Sequence, residues 1–333
     1  RSRSPVLMEE TARRLLAGDQ RTLSRLISQL ERGDPKAAEV LKAIDSRTGR
    51  AYTVGITGPP GAGKSTIVDR LTEVARGQGL TVGIIAVDPT SPFSGGAFLG
   101  DRIRMQRHYL DVGVFIRSMA TRGQSGGLPR IVKGIVRLLD AAGRDLVLVE
   151  TVGVGQTELG IVEVADTVVL AVMPESGDTI QTLKAGVMEI ADIYLVNKAD
   201  REGADQMSAA ITTMLHTAAA HPTWIPPVLL TSAPSGQGIE ELWSKIQEHR
   251  GFLTATSELA KRRGIQRQRE FLQTIKEELG RRLTFLLEHH PGLIGTLDQI
   301  ARREAEPYSK ALEFLDSAQF PADWLGALQP RGD

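Results

Sequence analysis

Seven short β-rich runs punctuate residues 51–250, and several are apolar at every position rather than at alternate ones. They are YTVGIT (52–57), VGIIAV (82–87), VGVFIR (112–117), LVLVE (146–150), TVVLAVM (167–173), IYLVN (193–197) and PVLLTS (227–232). A strand without alternation must be covered on both faces, the condition of a strand inside a mainly parallel sheet. Stretches of helical pattern, such as 126–142 and 204–219, lie between the runs. Parallel neighbours need crossovers of this kind. The pattern predicts an α/β, doubly wound, mainly parallel sheet.

The flanks read differently. Leu15, Leu16, Leu23, Leu26, Ile27 and Leu30 recur at helical spacing until Gly33, Asp34 and Pro35 interrupt them, and Pro35 can open a second short helix ending near Ile44. Beyond residue 250 the strand signals stop. Ile265, Leu272, Ile275, Leu279, Leu283 and Leu286 form one apolar stripe along a charged segment from 255 to 289, as a helix with a packing seam would. Such a helix would be roughly 50 Å long. His289, His290, Pro291 and Gly292 end it, and shorter helices are expected near 294–304 and 308–318. The expected organisation is an N-terminal helical extension (1–48), a nucleotide-binding domain (49–250) and a C-terminal helical arm (251–333).

Composition removes several classes of function. The 333 residues carry 40 Lys plus Arg and 40 Asp plus Glu, so there is no net charge to drive general nucleic-acid binding. Cysteine is absent, which excludes disulfides, thiolate metal sites and thiol nucleophiles. No run of 18 apolar residues is present to span a membrane, and the first ten residues lack the apolar core of a signal peptide. A cytoplasmic protein with no membrane partner is expected.

The chemistry starts at Gly58-Pro59-Pro60-Gly61-Ala62-Gly63-Lys64-Ser65-Thr66, which matches G-x-x-x-x-G-K-[ST] between a predicted strand and a predicted helix. Glycines let main-chain N–H groups wrap a phosphate, and the helix N-terminus adds partial positive charge. Lys64 is expected to reach the β- and γ-phosphates, and the Ser65 hydroxyl to ligate Mg2+. A nucleoside triphosphate is the implied ligand. Asn197-Lys198-Ala199-Asp200 follows the run IYLVN and matches N-K-x-D. Asp200 can accept hydrogen bonds from guanine N1–H and its 2-amino group; adenine offers neither. Asn197 can bond the guanine edge or tie loops together, and the Lys198 stem can lie on the base. Ser232-Ala233-Pro234 follows the last run and resembles the guanine-specificity loop of GTPases, whose backbone amide meets O6. GTP and GDP are therefore the expected nucleotides.

Phosphoryl transfer needs positioning and charge neutralisation. Asp88 and Glu150 at strand ends, and Asp101 in LGDRIRM, are candidates to hold Mg2+ directly or through water. Gly95, Gly96, Gly153 and Gly155 mark segments able to rearrange when the γ-phosphate leaves. Arg104, Gln156 and the stretch Asp178 to Lys184 are further groups that could approach the phosphates.

GPPGAGKST, VDPTSPFSGGAFLGDRIRM, VLVETVGVGQTE, VNKAD and TSAPSGQGI, in this order, resemble the MeaB/ArgK/MMAA group of P-loop GTPases over about residues 50–250. The resemblance implies a GTP-hydrolysing chaperone of an adenosylcobalamin-dependent acyl-CoA mutase that gates cofactor loading and protects the mutase from inactivation. By motif it places Ser65, Asp88, Asp101 and Glu150 around Mg2+, Gln156 in the second switch segment, and Asp178, Gln181 and Lys184 in a further switch answering to the partner. Lys64, Asp101, Glu150, Gln156 and Lys184 would carry catalysis. The C-terminal arm would be the homodimer contact, in agreement with the stripe, and an adenosyltransferase would be a further partner. Two alternatives stand beside it: a nickel-insertion GTPase, whose relatives usually carry Cys or clustered His, and a phosphotransferase linked to amino-acid transport, which would need an acceptor site that no sequence feature demands.

Overall fold

The computed structural model describes residues 4–88, 106–120, 128–151, 160–174, 190–218, 223–289 and 291–316. Seven strands form one sheet: β1 (Tyr52–Thr57), β2 (Val82–Asp88), β3 (Val114–Ala120), β4 (Leu146–Glu150), β5 (Thr167–Val172), β6 (Ile193–Asn197) and β7 (Val228–Thr231). Their order is β3-β2-β4-β1-β5-β6-β7, and every neighbouring pair is parallel. Each strand matches a run read from the sequence. The third begins two residues later than the run did, because Val112 is exposed and Gly113 donates its N–H to Asp111 in a turn.

The all-apolar strands are buried on both sides. Val54, Ile56, Ile84, Leu146 and Leu148 share one apolar cluster with helices α4 (Lys64–Gly77) and α7 (Ile239–Ala255). Ile85, Val87, Val147 and Val149, one residue out of phase, join the cluster on the opposite face. There they meet Leu15, Leu23, Leu26, Ile27 and Ile44 together with Ile135, Leu138 and Leu139. These come from α1 (Ser4–Leu16), α2 (Gln20–Glu31), α3 (Pro35–Ile44) and α5 (Leu128–Ala141). The N-terminal helices thus cover a face of the sheet.

The sequence pattern reads one helix up to Gly33, whereas α1 and α2 are separate. Gly18 takes φ +81, and the Asp19 side chain caps α2 by accepting the Thr22 N–H at 2.6 Å. Asp34 caps α3 in the same way, with Pro35 in its first turn. After β6, α6 (Ala204–Ala218) packs Met207 and Ile211 against Val172 and Val196.

The chain divides into two compact units, Arg1–Gln266 and Arg267–Asp333. Helix α8 (Glu258–His289) is 32 residues long, about 48 Å. It is distinct from α7, because Ser257 adopts φ +59 between them. Its first turns belong to the first unit. The second unit holds the rest of α8 with α9 (Pro291–Ala301) and α10 (Pro307–Asp316), and exposes Phe271, Leu272, Ile275, Phe285, Ile294, Leu297 and Leu315. Among the described residues no helix is long and apolar enough to cross a membrane.

Candidate functional site

In a parallel sheet, ligands gather beyond the carboxyl ends of the strands. Here β1 ends at Thr57, the chain turns through Gly58 to Gly63, and α4 starts at Lys64. Gly58, Gly61 and Gly63 take φ +137, +79 and +83. A side chain at Gly58 would place its Cβ 1.9 Å from the Ala171 carbonyl oxygen of β5, so only glycine fits there. Gly63 caps α4 with no side chain, which leaves the helix N-terminus open to an anion. Pro60 and Gly61 form the exposed rim of this turn, Pro59 is half-buried and Ala62 is buried beneath it. Thr66 is half-buried in the first turn of α4.

Lys64 is 6% exposed, and its ammonium donates to the carbonyls of Gly58 at 2.8 Å and Pro59 at 3.0 Å. The cation is thus held over the loop whose amides would receive a phosphate. Ser65, also buried, donates its hydroxyl to Glu150 Oε1 at 2.7 Å. Glu150 ends β4 opposite Ile56 of β1 and Ala86 of β2. A buried hydroxyl against a buried carboxylate at the mouth of the cradle is the donor chemistry a hard divalent cation takes, with phosphate oxygens and waters completing the shell. Among the described residues no three His, Asp or Glu side chains converge as a self-contained metal site. Asp88 ends β2 two residues beyond Ala86, and its side chain lies outside what is described. Asp101, Arg104, Gln156, Asp178, Gln181, Lys184 and the glycines 95, 96, 153 and 155 lie outside the described residues.

The Asn-Lys-x-Asp turn follows β6 directly. Asn197 is 1% exposed and joins three loops. Its Nδ2 donates to the Ala62 carbonyl at 2.7 Å, and its Oδ1 accepts from Thr231 Oγ1 at 3.2 Å and from the Ala233 N–H at 3.1 Å. Of the two roles open to it in the sequence, tying loops together is the one these bonds perform. The Ala233 amide is thereby engaged by Asn197, while Ser232 N–H bonds Gln237 and Ser235 N–H bonds Ser232. Pro234 has no amide hydrogen to offer. Lys198 takes φ +59 and lays its ammonium 3.4 Å from Met173 Sδ. Asp200 is exposed, and its Oδ1 accepts from Ser232 Oγ at 2.9 Å. That hydrogen bond, foremost, holds its carboxyl below the usual range. Asp200 is therefore an anionic acceptor at neutral pH, with lone pairs of the kind guanine's donors require.

Several residues of the site were not legible as motifs. Arg70 of α4 donates to the Ala233 carbonyl at 3.2 Å and the Pro234 carbonyl at 2.6 Å, and so fixes the last loop to the phosphate-binding helix. Thr151 Oγ1 donates to Thr57 Oγ1 at 2.8 Å, linking the ends of β4 and β1. His108 Nε2 lies 3.2 Å from Asp69 of α4, whose carboxylate, foremost, raises the imidazole pKa. Thr151 lies in the VLVETVGVGQTE motif, but no local pattern names its partner; only the fold brings each pair together.

A Gly-rich cradle between a central parallel strand and a helix, a buried lysine over it, a Ser–Glu pair at its mouth and a neighbouring Asn-Lys-x-Asp turn define a P-loop GTPase. Comparison with known proteins narrows this. Residues 23–285 match the family model described as methylmalonyl Co-A mutase-associated GTPase MeaB, and the chain belongs to that family. A putative GTPase of Pyrococcus horikoshii is 48% identical over 307 residues, covering 91% of this chain and 96% of its own. A mouse protein named methylmalonic aciduria type A homolog, mitochondrial, is 35% identical over 268 residues, covering 78% of this chain and 62% of its own. The crystal structure of a LAO/AO transport system kinase superposes with a TM-score of 0.73 at 28% identity, covering 94% of this chain and 99% of its own.

Proposed function

We propose that this GTPase is a chaperone for an adenosylcobalamin-dependent acyl-CoA mutase of the methylmalonyl-CoA mutase type, gating cofactor loading and protecting the mutase from inactivation. The family match over residues 23–285 carries the reading, because the family's description and the mouse relative's name both point to methylmalonyl metabolism. The buried Lys64 and the Ser65–Glu150 pair supply the chemistry such a switch needs.

In this reading the main-chain amides from Gly61 to Thr66 cradle the phosphates, and Lys64 exchanges its loop carbonyls for oxygens of the β- and γ-phosphates. Ser65 and Glu150, with Asp88 and Asp101, would hold Mg2+, which when bound neutralises charge on the phosphates. Asn197 keeps the cradle and the base-binding loops in register, Asp200 selects guanine, and Ser232, Ala233 and Pro234 form the wall beside it. Gln156 contributes to catalysis from the second switch segment, and Lys184, in the further switch, answers to the partner. Loss of the γ-phosphate releases these segments and changes the surface offered to the mutase. The working form is a cytoplasmic homodimer joined through the C-terminal arm, with an adenosyltransferase as a further partner.

The test measures GTP turnover with and without a cobalamin-dependent acyl-CoA mutase, alongside gel filtration of the mixture in GDP and in a non-hydrolysable GTP analogue. A nucleotide-dependent complex with altered turnover is expected. Unchanged turnover together with separate elution would discard the chaperone role and leave the GTPase standing.

A further inference from the structure

The first turns of helix α8 are bonded to residues 162–166, between β4 and β5 in chain order. Gln266 Nε2 donates two hydrogen bonds, to the Val162 carbonyl at 2.9 Å and to the Ala165 carbonyl at 2.9 Å. One turn earlier, Arg263 grips Asp166 through Nε at 2.8 Å and Nη2 at 2.6 Å, and reaches the carbonyls of Gly49 and Ala51. Arg262 donates to the Asp166 carbonyl and to both oxygens of Asp192. The base of the helix is therefore bonded to 162–166, not merely packed on it.

That segment is also locked to the strand that launches the phosphate cradle. Ile161 is 2% exposed, and its Cγ1 occupies the space a Cβ at Gly55 would need, 2.4 Å from that position. Gly55 lies three residues before Gly58. Asp166 exchanges two hydrogen bonds with Thr53 of the same strand, at 2.8 and 2.9 Å. Lys133 of α5 holds Glu163 at 3.2 Å. The stretch 161–166 is thus clasped between β1 on one side and Gln266 on the other. It is continuous in chain with Glu150, whose carboxylate meets Ser65.

We infer that Gln266 is a positioning residue for GTP hydrolysis, and that through it the base of α8 is coupled to the phosphate site. Its amide contributes two donors to two carbonyls that no other described side chain bonds. Removing those donors loosens the seating of Ile161 against Gly55 of β1, three residues before the cradle. Whatever grips the base of helix α8 alters GTP hydrolysis through these bonds. The inference needs only a GTPase, so it stands or falls apart from the mutase reading.

The experiment uses the full chain. Single-turnover GTP hydrolysis and nucleotide Kd are measured for wild type, Q266L and Q266R, and hydrogen exchange of peptides covering 161–166 and 258–266 is compared in GDP and in a non-hydrolysable GTP analogue. Q266L should lower the hydrolysis constant about tenfold, less than the roughly thirtyfold that two neutral hydrogen bonds would give if their loss were felt in full at the phosphate site, with Kd shifted less than about twofold. Q266R should recover most of the rate, because a guanidinium restores N–H donors. In wild type, exchange in both peptides should change together between the two nucleotides. A wild-type rate in Q266L, equal losses in Q266L and Q266R, or a wild-type 258–266 peptide blind to the nucleotide would each overturn the inference. The wild-type comparison needs no variant, so it still tests the coupling of the helix base to the nucleotide if Q266L fails to fold.

Discussion

Asn197 can be removed in two ways that separate its stabilising role from its role in holding the nucleotide loops together. Asn197→Ala deletes all three of its hydrogen bonds and strands the Thr231 hydroxyl and the Ala233 N–H, both in residues with no exposure. At about 1 kcal/mol per bond, with an added desolvation cost for each group left unpaired, the loss should be about 4 kcal/mol. A native domain's margin of roughly 5–15 kcal/mol tolerates that. Asn197→Asp keeps the acceptor facing Thr231 and Ala233 but sets a second oxygen against the Ala62 carbonyl. It should cost about 2 kcal/mol, yet weaken GTP as much as the alanine variant does, because it severs the link to the phosphate cradle. Urea unfolding gives the stabilities, and fluorescence titration with a labelled guanine nucleotide gives the affinities. A loss below about 1 kcal/mol for Asn197→Ala, or GTP affinity within about twofold of wild type in Asn197→Asp, would refute the view that this side chain organises the site.

Three further outcomes follow from the same geometry. Glu150→Gln removes the charge facing Ser65 and should raise the Mg2+ concentration for half-maximal hydrolysis about tenfold, read from a magnesium titration; an unchanged titration would take Glu150 out of the metal shell. Asp200→Asn replaces an acceptor by a donor, so it should weaken GTP and admit xanthosine triphosphate, and competition binding with an unaltered preference for GTP would remove Asp200 from base recognition. Burial, foremost, lowers the pKa of His249, which is 1% exposed and bonded to Thr167 Oγ1 at 2.8 Å. A depressed pKa means the unfolded chain binds the proton more readily. Stability from this group is therefore full above its ordinary value of 6.5 and declines as pH falls below it. His108, whose pKa is raised, pulls the opposite way. The measurement is thus the difference between wild type and His249→Gln in unfolding free energy from pH 7.5 to 5, and that difference should shrink on acidification. A gap constant across the range would show that His249 does not titrate against its burial.

Much of this protein is legible in the chain. All seven strands are visible as β-rich runs, and the central ones are apolar at nearly every residue because they are covered on both faces, a signature that is local. The phosphate cradle and the Asn-Lys-x-Asp turn are contiguous, because wrapping a phosphate or closing a base pocket at a strand end is done by consecutive residues. What remained hidden depends on partners distant in sequence. Leu15 and Leu23 read only as helical, and that they cover the same sheet face as Val147 is a matter of how layers stack. Gln266 reads as one polar residue on a charged helix, yet it lies 104 and 101 residues from the carbonyls it holds. Arg70 meets the Ala233 carbonyl across 163 residues, and Asn197 meets Ala62 across 135. Periodicity and motif record what each residue asks of its neighbours along the chain; which polar group answers a distant one is decided when the sheet closes and every buried donor must find an acceptor.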